Sequence, residues 1–312
     1  MSSLTLDQQT LKELEDASVR LSTGASLILK EYVPGNVEVK YKDEGCTNPV
    51  TEIDLRIEDY LRNEISKEFA SHAVLGEEHD RGLNDRSDFV WVLDPLDGTS
   101  NFAAGLLMYS ISIGLLFKGI PVVGSIFSPS TLTEGATFHA RSGGGAFIDD
   151  NHVSVSGISE PSNAGLIGVP AGYRNSQFFK KHMNGIKGNI RITGSITHEM
   201  LMVASGVFQL SIFGRPRIWD VAAGTVIIKE AGGEVLRNNN RVWEPLDSFS
   251  GKKGNSGEGT LRGLRNWGFP LLVGNEALLY YVTHKPEQKN STSFLDRVQS
   301  ALSKLTGNKR IV

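Results

Sequence analysis

The sequence predicts a mixed α/β fold, and three observations predict it. Apolar residues recur at helical spacing near the start of the chain. Short apolar or alternating runs of strand length follow, and strand-like and helix-like segments then alternate through the second half. With 312 residues there is room for two domains or one large layered one with a sizeable core.

Thr10 and Glu13 stand at capping-box spacing, and Leu11, Leu14, Leu21, Ala25 and Ile28 share a helical face. This predicts a first helix ending near Tyr32-Val33-Pro34-Gly35. A polar stretch at 42–49 reads as a turn. Thr51 and Asp54 open a second helix carrying Ile53, Ile57, Leu61 and Ile65 on one face. Ala73-Val74-Leu75 runs into Gly76-Glu77-Glu78. A strand from Phe89 is expected to stop at Asp94, because Pro95 blocks its continuation. Segments 110–117 and 121–127 read as paired strands, and 146–148 with 153–155 as a hairpin.

Gly157, Ser159, Pro161 and Ser162 then interrupt the pattern, which divides the chain into 1–156, 157–284 and a tail at 285–312. The second part reads as strand 166–169, helix 177–184, helix 200–206, strand 207–213 and helix 221–231 ended by Gly232-Gly233. A Gly-, Ser- and Asn-rich surface insertion at 248–268 precedes a strand at 270–273. Phe294, Leu295, Val298, Leu302 and Leu305 give the tail a short amphipathic helix.

A formal net charge of −3 argues against general attraction to nucleic acid or anionic lipid. The single cysteine, Cys46, excludes an intrachain disulfide and fits a reducing compartment. The first residues lack the basic and apolar regions of a signal peptide, and no apolar run approaches the ~18–20 residues that span a bilayer. The expected address is the cytoplasm, with no membrane and no nucleic-acid partner.

Asp94-Pro95-Leu96-Asp97-Gly98-Thr99 places two carboxylates three residues apart where an apolar run breaks into a turn. Two acids at the lip of a buried strand repel one another unless a cation lies between them, and a hard divalent ion with oxygen ligands is the simplest candidate. Glu77 and Asp220 are further acids near element ends. Each has a plainer reading: Glu77 and Glu78 as solvated loop charges, Asp220 and Asp97 as helix caps, Asp54 as the closing residue of a capping box. Neither turn chemistry nor capping requires both Asp94 and Asp97.

Glu77-Glu78, Asp94-Pro95-Leu96-Asp97-Gly98-Thr99 and Trp219-Asp220-Val221-Ala222-Ala223-Gly224 together resemble the inositol monophosphatase family of magnesium-dependent, lithium-sensitive phosphatases. Asn48-Pro49-Val50-Thr51-Glu52-Ile53-Asp54 and Glu230-Ala231-Gly232-Gly233 extend the resemblance, which covers roughly 5–283. It implies an α/β (α+β) fold, a layered α-β-α-β-α sandwich of the inositol monophosphatase and fructose-1,6-bisphosphatase type. It implies two or three Mg²⁺ ions: Glu77, Asp94 and the Leu96 carbonyl for the first, Asp94, Asp97 and Asp220 for the second. Gly98 and Thr99 would bind phosphate through backbone N–H groups. Thr99, with Glu77 beside it and Asp54 accepting its proton, would orient a metal-activated water for in-line attack without a covalent intermediate. Family members are commonly homodimers.

Substrate contacts are expected from Asp97, Gly194, Ser195 and Ile196, and from a loop before Trp219 that carries Phe213 and Arg215. Inositol-specific members usually have an acid on that loop. Phe213 cannot accept hydroxyl hydrogen bonds, and Arg215 and Arg217 are either surface charges or partners of an additional anionic group. The expected partner is a small phosphorylated metabolite. Histidinol phosphate, a sugar phosphate or bisphosphate, or a nucleotide 3′-phosphate stand beside inositol 1-phosphate. Two other readings belong to different classes: a regulatory protein that keeps the fold and exploits its surface, and a structural Mg²⁺- or Ca²⁺-binding domain.

Overall fold

The computed structural model describes residues 6–42, 44, 49–79, 87–129, 135–176, 178, 179, 182, 186–249 and 261–284. The chain opens with helix α1 (Gln8–Lys30), a two-stranded ribbon of β1 (Lys40–Tyr41) and β2 (Pro49–Val50), and helix α2 (Glu52–Glu68). A seven-stranded sheet follows: β3 (Ala73–Gly76), β4 (Phe89–Asp97), β5 (Ser110–Phe117), β6 (Ile120–Ser128), β7 (Ala136–Arg141), β8 (Ala146–Ile148) and β9 (Asn151–His152), adjacent in chain order. The short helix α3 (Thr99–Ala103) lies between β4 and β5. Only β3 and β4 pair in parallel; the other neighbours are antiparallel.

The second half comprises β10 (Leu166–Gly168), β11 (Asn189–Arg191), α4 (Ile196–Ala204), β12 (Phe208–Phe213), α5 (Ile218–Glu230), β13 (Glu234–Asn239), β14 (Val242–Pro245), α6 (Leu261–Arg265), β15 (Leu271–Gly274) and α7 (Glu276–His284). Its six-stranded sheet runs β11-β10-β12-β15-β13-β14, with β10 parallel to both neighbours.

Strand alternation sorts the side chains into layers, because successive residues point to opposite faces. On β4, Trp91 and Leu93 pack outward with Leu14 and Leu21 of α1 and Ile57 and Leu61 of α2. Val90 and Val92 face inward, into a core shared with Met200 and Leu201 of α4 and Val221, Ala222 and Val226 of α5. On β15, Leu271 and Val273 join that inner core, while Leu272 faces away with Leu210 and Ile212 of β12 onto Leu278, Leu279 and Val282 of α7. The result is a layered α-β-α-β-α sandwich. Helix α5 lies between two sheets and is buried all round from Val221 to Ile228, with its charged residues confined to its two ends. Among the described residues, no helix is long and apolar enough to cross a membrane.

Helix α5 sits unusually close to the first sheet. A Cβ added at Gly114 would lie 2.8 Å from Ala222 Cβ, and one at Gly124 would lie 2.4 Å from the Ala223 carbonyl oxygen. The two glycines therefore let the helix backbone descend onto β5 and β6. The far end is gripped as well, because Glu230 accepts from the backbone N–H groups of Gly143 and Gly145 at 2.8 Å each.

Several expectations are corrected. The first helix is capped by Asp7, which accepts from the Thr10 backbone, and not by a box opened at Thr10; its end at Lys30, with Glu31 as the cap, is close to the one expected. Strand β4 does not stop at Asp94: it continues through Pro95 to Asp97 in a bulge, where the missing N–H of proline costs no ladder bond. The hairpin partner of 146–148 is Asn151–His152; Val153 does donate from its backbone to the Ala146 carbonyl, as expected, but Val155 donates to the Ala231 carbonyl. Helices expected at 200–206 and 221–231 begin earlier, at Ile196 and Ile218. The insertion at 248–268 is not all surface: Phe249, Leu261, Leu264 and Trp267 are buried in the inner core. Of the helix expected at 177–184, Phe178, Phe179 and His182 are helical. The rest of that segment, the tail helix and Cys46 lie outside the described residues.

Candidate active site

The β4 bulge decides where the carboxylates point. Residues three apart on a regular strand face opposite sides. Here Asp94 pairs with Ser112 and Asp97 with Ser110, so one extra residue on β4 restores parity. Ser112 and Ser110 share a face, and both reach the middle helices. Ser112 Oγ donates to the Trp219 carbonyl (3.4 Å), and Ser110 Oγ bonds Thr197 Oγ1. Asp94 and Asp97 therefore both look toward α4 and α5.

Each acid is fixed by one oxygen. Asp94 Oδ1 accepts from the Leu96 N–H (3.1 Å), and Asp220 Oδ2 accepts from the Arg217 N–H (2.7 Å), as a residue in the first turn of α5 can. Asp97 Oδ2 accepts from Ser195 Oγ (2.9 Å) and from both the N–H and Oγ1 of Thr197 (2.6 Å each). Among the described residues, the second oxygen of all three carboxylates has no hydrogen-bond partner. Glu77 follows β3, its N–H donating to the Leu93 carbonyl (3.2 Å).

Burial pushes the Asp94 carboxyl well above its usual range, and Glu77, Asp97, Asp220 and Asp54 push it further. Asp220 is raised likewise, by burial and then Asp97; Asp97 is raised chiefly by burial. The structure thus gathers the sequence-predicted acids into one field of mutual repulsion. Among the described residues, however, no three of them stand in an arrangement that by itself would hold a metal ion.

Asp54 closes a capping box, as its spacing predicts, with Oδ2 accepting from the Thr51 N–H (2.8 Å). Its other oxygen accepts from Thr99 Oγ1 (3.1 Å), which also lies 2.9 Å from the Leu96 carbonyl. Structural cap and site residue are one side chain. Gly98, at φ +89°, turns the chain from β4 into α3, and a Cβ there would meet the Met108 carbonyl at 2.7 Å.

Three residues escaped the sequence reading. Lys42 lies within the stretch read as a turn, yet its ammonium reaches Glu77 Oε1 (3.0 Å) and Glu78 Oε1 (2.7 Å). Burial pulls that ammonium's pKa down, but Glu77 and Glu78 outweigh it and raise it. No spacing signal marks Lys42. Thr197, two residues past the predicted Ser195, holds Asp97 by two bonds. Glu58, fully buried in α2, accepts from the backbone beside Glu77.

The expected substrate residues are not gathered in the same way. Gly194 adopts φ +81° beside Asn101, and Ser195 caps α4 and binds Asp97. Ile196 packs partly on the inner core. Phe213 is the last residue of β12 and is buried, so it belongs to a strand and the core and not to a loop. Arg215 is exposed and lies along Gly268.

The layered sandwich and the acids gathered at a strand bulge are set in their class, that of phosphate-ester hydrolases, by likeness to known proteins. Residues 10–262 match the inositol monophosphatase family, and the chain belongs to it. It is 33% identical over 244 residues to the chloroplastic phosphatase IMPL1 of Arabidopsis thaliana, across 75% of this chain and 64% of that protein. It is 33% identical over 226 residues to a fructose-1,6-bisphosphatase/inositol-1-monophosphatase of Thermotoga maritima, covering 71% of this chain and 80% of that one. Inositol monophosphatase 2 of Saccharomyces cerevisiae is 30% identical over 262 residues, covering 78% and 89%. Among solved structures, an IMPase of Thermotoga maritima superposes with a TM-score of 0.68 at 26% identity, over 86% of this chain and 94% of that one. The chain is thus a hydrolase with phosphomonoesterase chemistry toward a small phosphorylated substrate, in a family of Mg²⁺-dependent phosphatases.

Proposed function

We propose that the chain hydrolyses a small, inositol-phosphate-like monoester with two or three Mg²⁺ ions held by Glu77, Asp94, the Leu96 carbonyl, Asp97 and Asp220. The observation that most supports this is the pattern of half-bonded carboxylates. Each of the three aspartates is anchored by one oxygen, and its other oxygen has no partner among the described residues. That donor set is hard and anionic, and it suits Mg²⁺. Bound there, Mg²⁺ would neutralise the acids and the ester and make water a competent nucleophile near neutral pH.

The remaining roles fall to the chain's own groups. Thr99 Oγ has one hydrogen and two acceptors within reach. Giving it to Asp54 leaves the hydroxyl lone pairs to accept from, and so aim, the attacking water. Glu77 would serve with it as the further acid. The Gly98 and Thr99 N–H groups would hold phosphate oxygens. Ser195 and Thr197 keep Asp97 from swinging toward solvent. Asp97, Gly194, Ser195 and Ile196 would meet the alcohol, with Phe213 and Arg215 from the stretch before Trp219. With Phe213 and no acid there, histidinol phosphate, a sugar bisphosphate or a nucleotide 3′-phosphate remain alternative substrates. A homodimer and a cytoplasmic address belong to the same reading.

A phosphate-release panel tests it, spanning inositol phosphates, histidinol phosphate, sugar bisphosphates and adenosine 3′,5′-bisphosphate, with Mg²⁺ and with or without Li⁺. Release that needs Mg²⁺, falls with Li⁺ and drops roughly a hundredfold or more in Asp220→Asn is the expected result. Turnover that is indifferent to Mg²⁺ or to Asp220→Asn overturns it.

A further inference from the structure

The loop from Gly76 to His79 carries Glu77, and it is held from two sides. Glu58 takes its N–H groups: Glu78 N donates at 2.7 Å and His79 N at 3.1 Å. A Cβ at Gly76 would lie 2.2 Å from the same carboxylate, so only glycine admits that approach. Arg62 Nε steadies Glu58 at 2.7 Å. On the carbonyl side stands Arg265, the last residue of α6. Its Nη1 donates to the Gly76 carbonyl (3.0 Å) and its Nη2 to the His79 carbonyl (3.2 Å). The two carbonyls flank Glu77 and Glu78.

The same guanidinium lies 5.5 Å from the centre of the Trp219 ring, within cation–π range. Trp219 immediately precedes Asp220. One side chain therefore touches the loop bearing Glu77, from the first half of the chain, and the residue before Asp220, from the second. Its base is firm, because Leu261 and Leu264 of α6 and Trp267 just beyond it are buried in the inner core. Arg265 lies three residues beyond the stretch that matches the family, 10–262.

We infer that Arg265 is a positioning residue that sets the spacing of Glu77 relative to Asp220, and through it the affinity for Mg²⁺. This rests on the ligand set proposed above. The planar fork explains the residue type. Two carbonyls and an aromatic face are satisfied together only by a guanidinium, and lysine offers one compact ammonium in its place.

The test uses the full-length chain as wild type, Arg265→Met, Arg265→Lys, Arg265→Ala and Arg262→Met. Arg262 is exposed on the same helix and serves as the control. Mg²⁺ binding is measured by calorimetry without substrate. Turnover of 4-nitrophenyl phosphate is followed against Mg²⁺ concentration. Arg265→Met is expected to weaken Mg²⁺ binding at least tenfold and to shift the activation midpoint equally, with kcat at saturating Mg²⁺ within threefold of wild type. Arg265→Lys is expected to stay weakened, and millimolar guanidinium to restore much of the affinity of Arg265→Ala. Arg262→Met is expected to match wild type.

Binding within twofold of wild type in a folded Arg265→Met or Arg265→Lys protein overturns the inference. So does a loss of melting temperature with no change in Mg²⁺ affinity. If Arg265→Met fails to fold, the lysine variant decides alone. A wild-type chain that neither binds nor needs Mg²⁺ refutes the ligand set instead, which separates the two failures.

Discussion

Glu199 shows how much one buried acid can carry without being a ligand. It lies in α4, nearly inaccessible, with Oε1 accepting from the N–H and Oγ1 of Thr193 at 3.2 and 2.9 Å. That pair fixes the turn leading to Gly194 and Ser195. Among the described residues its Oε2 and Ser211 Oγ are buried without partners, and both crowd the place where a Cβ on Gly168 would sit. Burial raises the carboxyl to about 7, against the pull of the Thr193 hydrogen bonds. The folded chain thus keeps this proton between pH 4.5 and about 7, where the unfolded chain has released it. Stability from this group is full below the unfolded value and is lost as pH rises through the folded one. The loss is at most about 3 kcal/mol. Glu199→Gln keeps the acceptor, places a donor near Ser211 Oγ and cannot ionise. Urea unfolding at pH 5.5 and 8 is expected to show a smaller decline in the variant, and equal declines would remove Glu199 from the account. Local signals of this kind were partly legible. Thr51 and Asp54 were readable as a cap because a capping box is complete within four residues, but Lys42 was not, because its partners lie more than thirty residues away.

At the scale of elements, α5 decides the geometry of the acids. Its closeness to β5 and β6 is set by Gly114 and Gly124, where the atoms a Cβ would strike are largely backbone and cannot rotate away. Gly124→Ala is expected to cost about 1–3 kcal/mol and, by lifting the N-terminus of α5, to reduce Mg²⁺-dependent turnover as well. Denaturant unfolding and phosphate release check both halves, and unchanged values in both would show that the helix tolerates the displacement. The sequence foretold this helix and its first-turn acid, because Gly232-Gly233 marks its end and Asp220 suits its start. It mistook the end of β4. A proline in an apolar run argues for a strand end when read alone. Whether it sits in a bulge depends on the register of β5, which no local pattern reports. Phe213 was read both as the end of a strand at 207–213 and as part of the loop before Trp219, and pairing with β15 keeps it on the strand.

At the scale of the molecule, the inner core joins the halves. Val90, Val92, Leu116, Ile126 and Phe138 of the first sheet pack in one cluster with Val221, Ala222 and Ile227 of α5 and Val273 of the second sheet. The segments 1–156 and 157–284 expected from the break near 156 are therefore proposed as halves of one folding unit. Residues 1–156 expressed alone are expected to bind a dye such as ANS strongly and to aggregate, since one sheet face loses its cover. A soluble, monomeric fragment with a cooperative melt would speak for independent domains. The layered architecture was legible because periodicity and motif order survive in a single chain. The alcohol of the substrate was not, because the residues proposed to meet it come from β4 and the start of α4, which lie about a hundred residues apart in the chain. The bulge in β4 has one more consequence, which concerns synthesis. As the chain leaves the ribosome, Asp94 and Asp97 emerge more than a hundred residues before Asp220, and further still before Arg265. The nascent protein thus carries Asp94 and Asp97 long before it carries Asp220, and the proposed ligand set is complete only once α5 has been made.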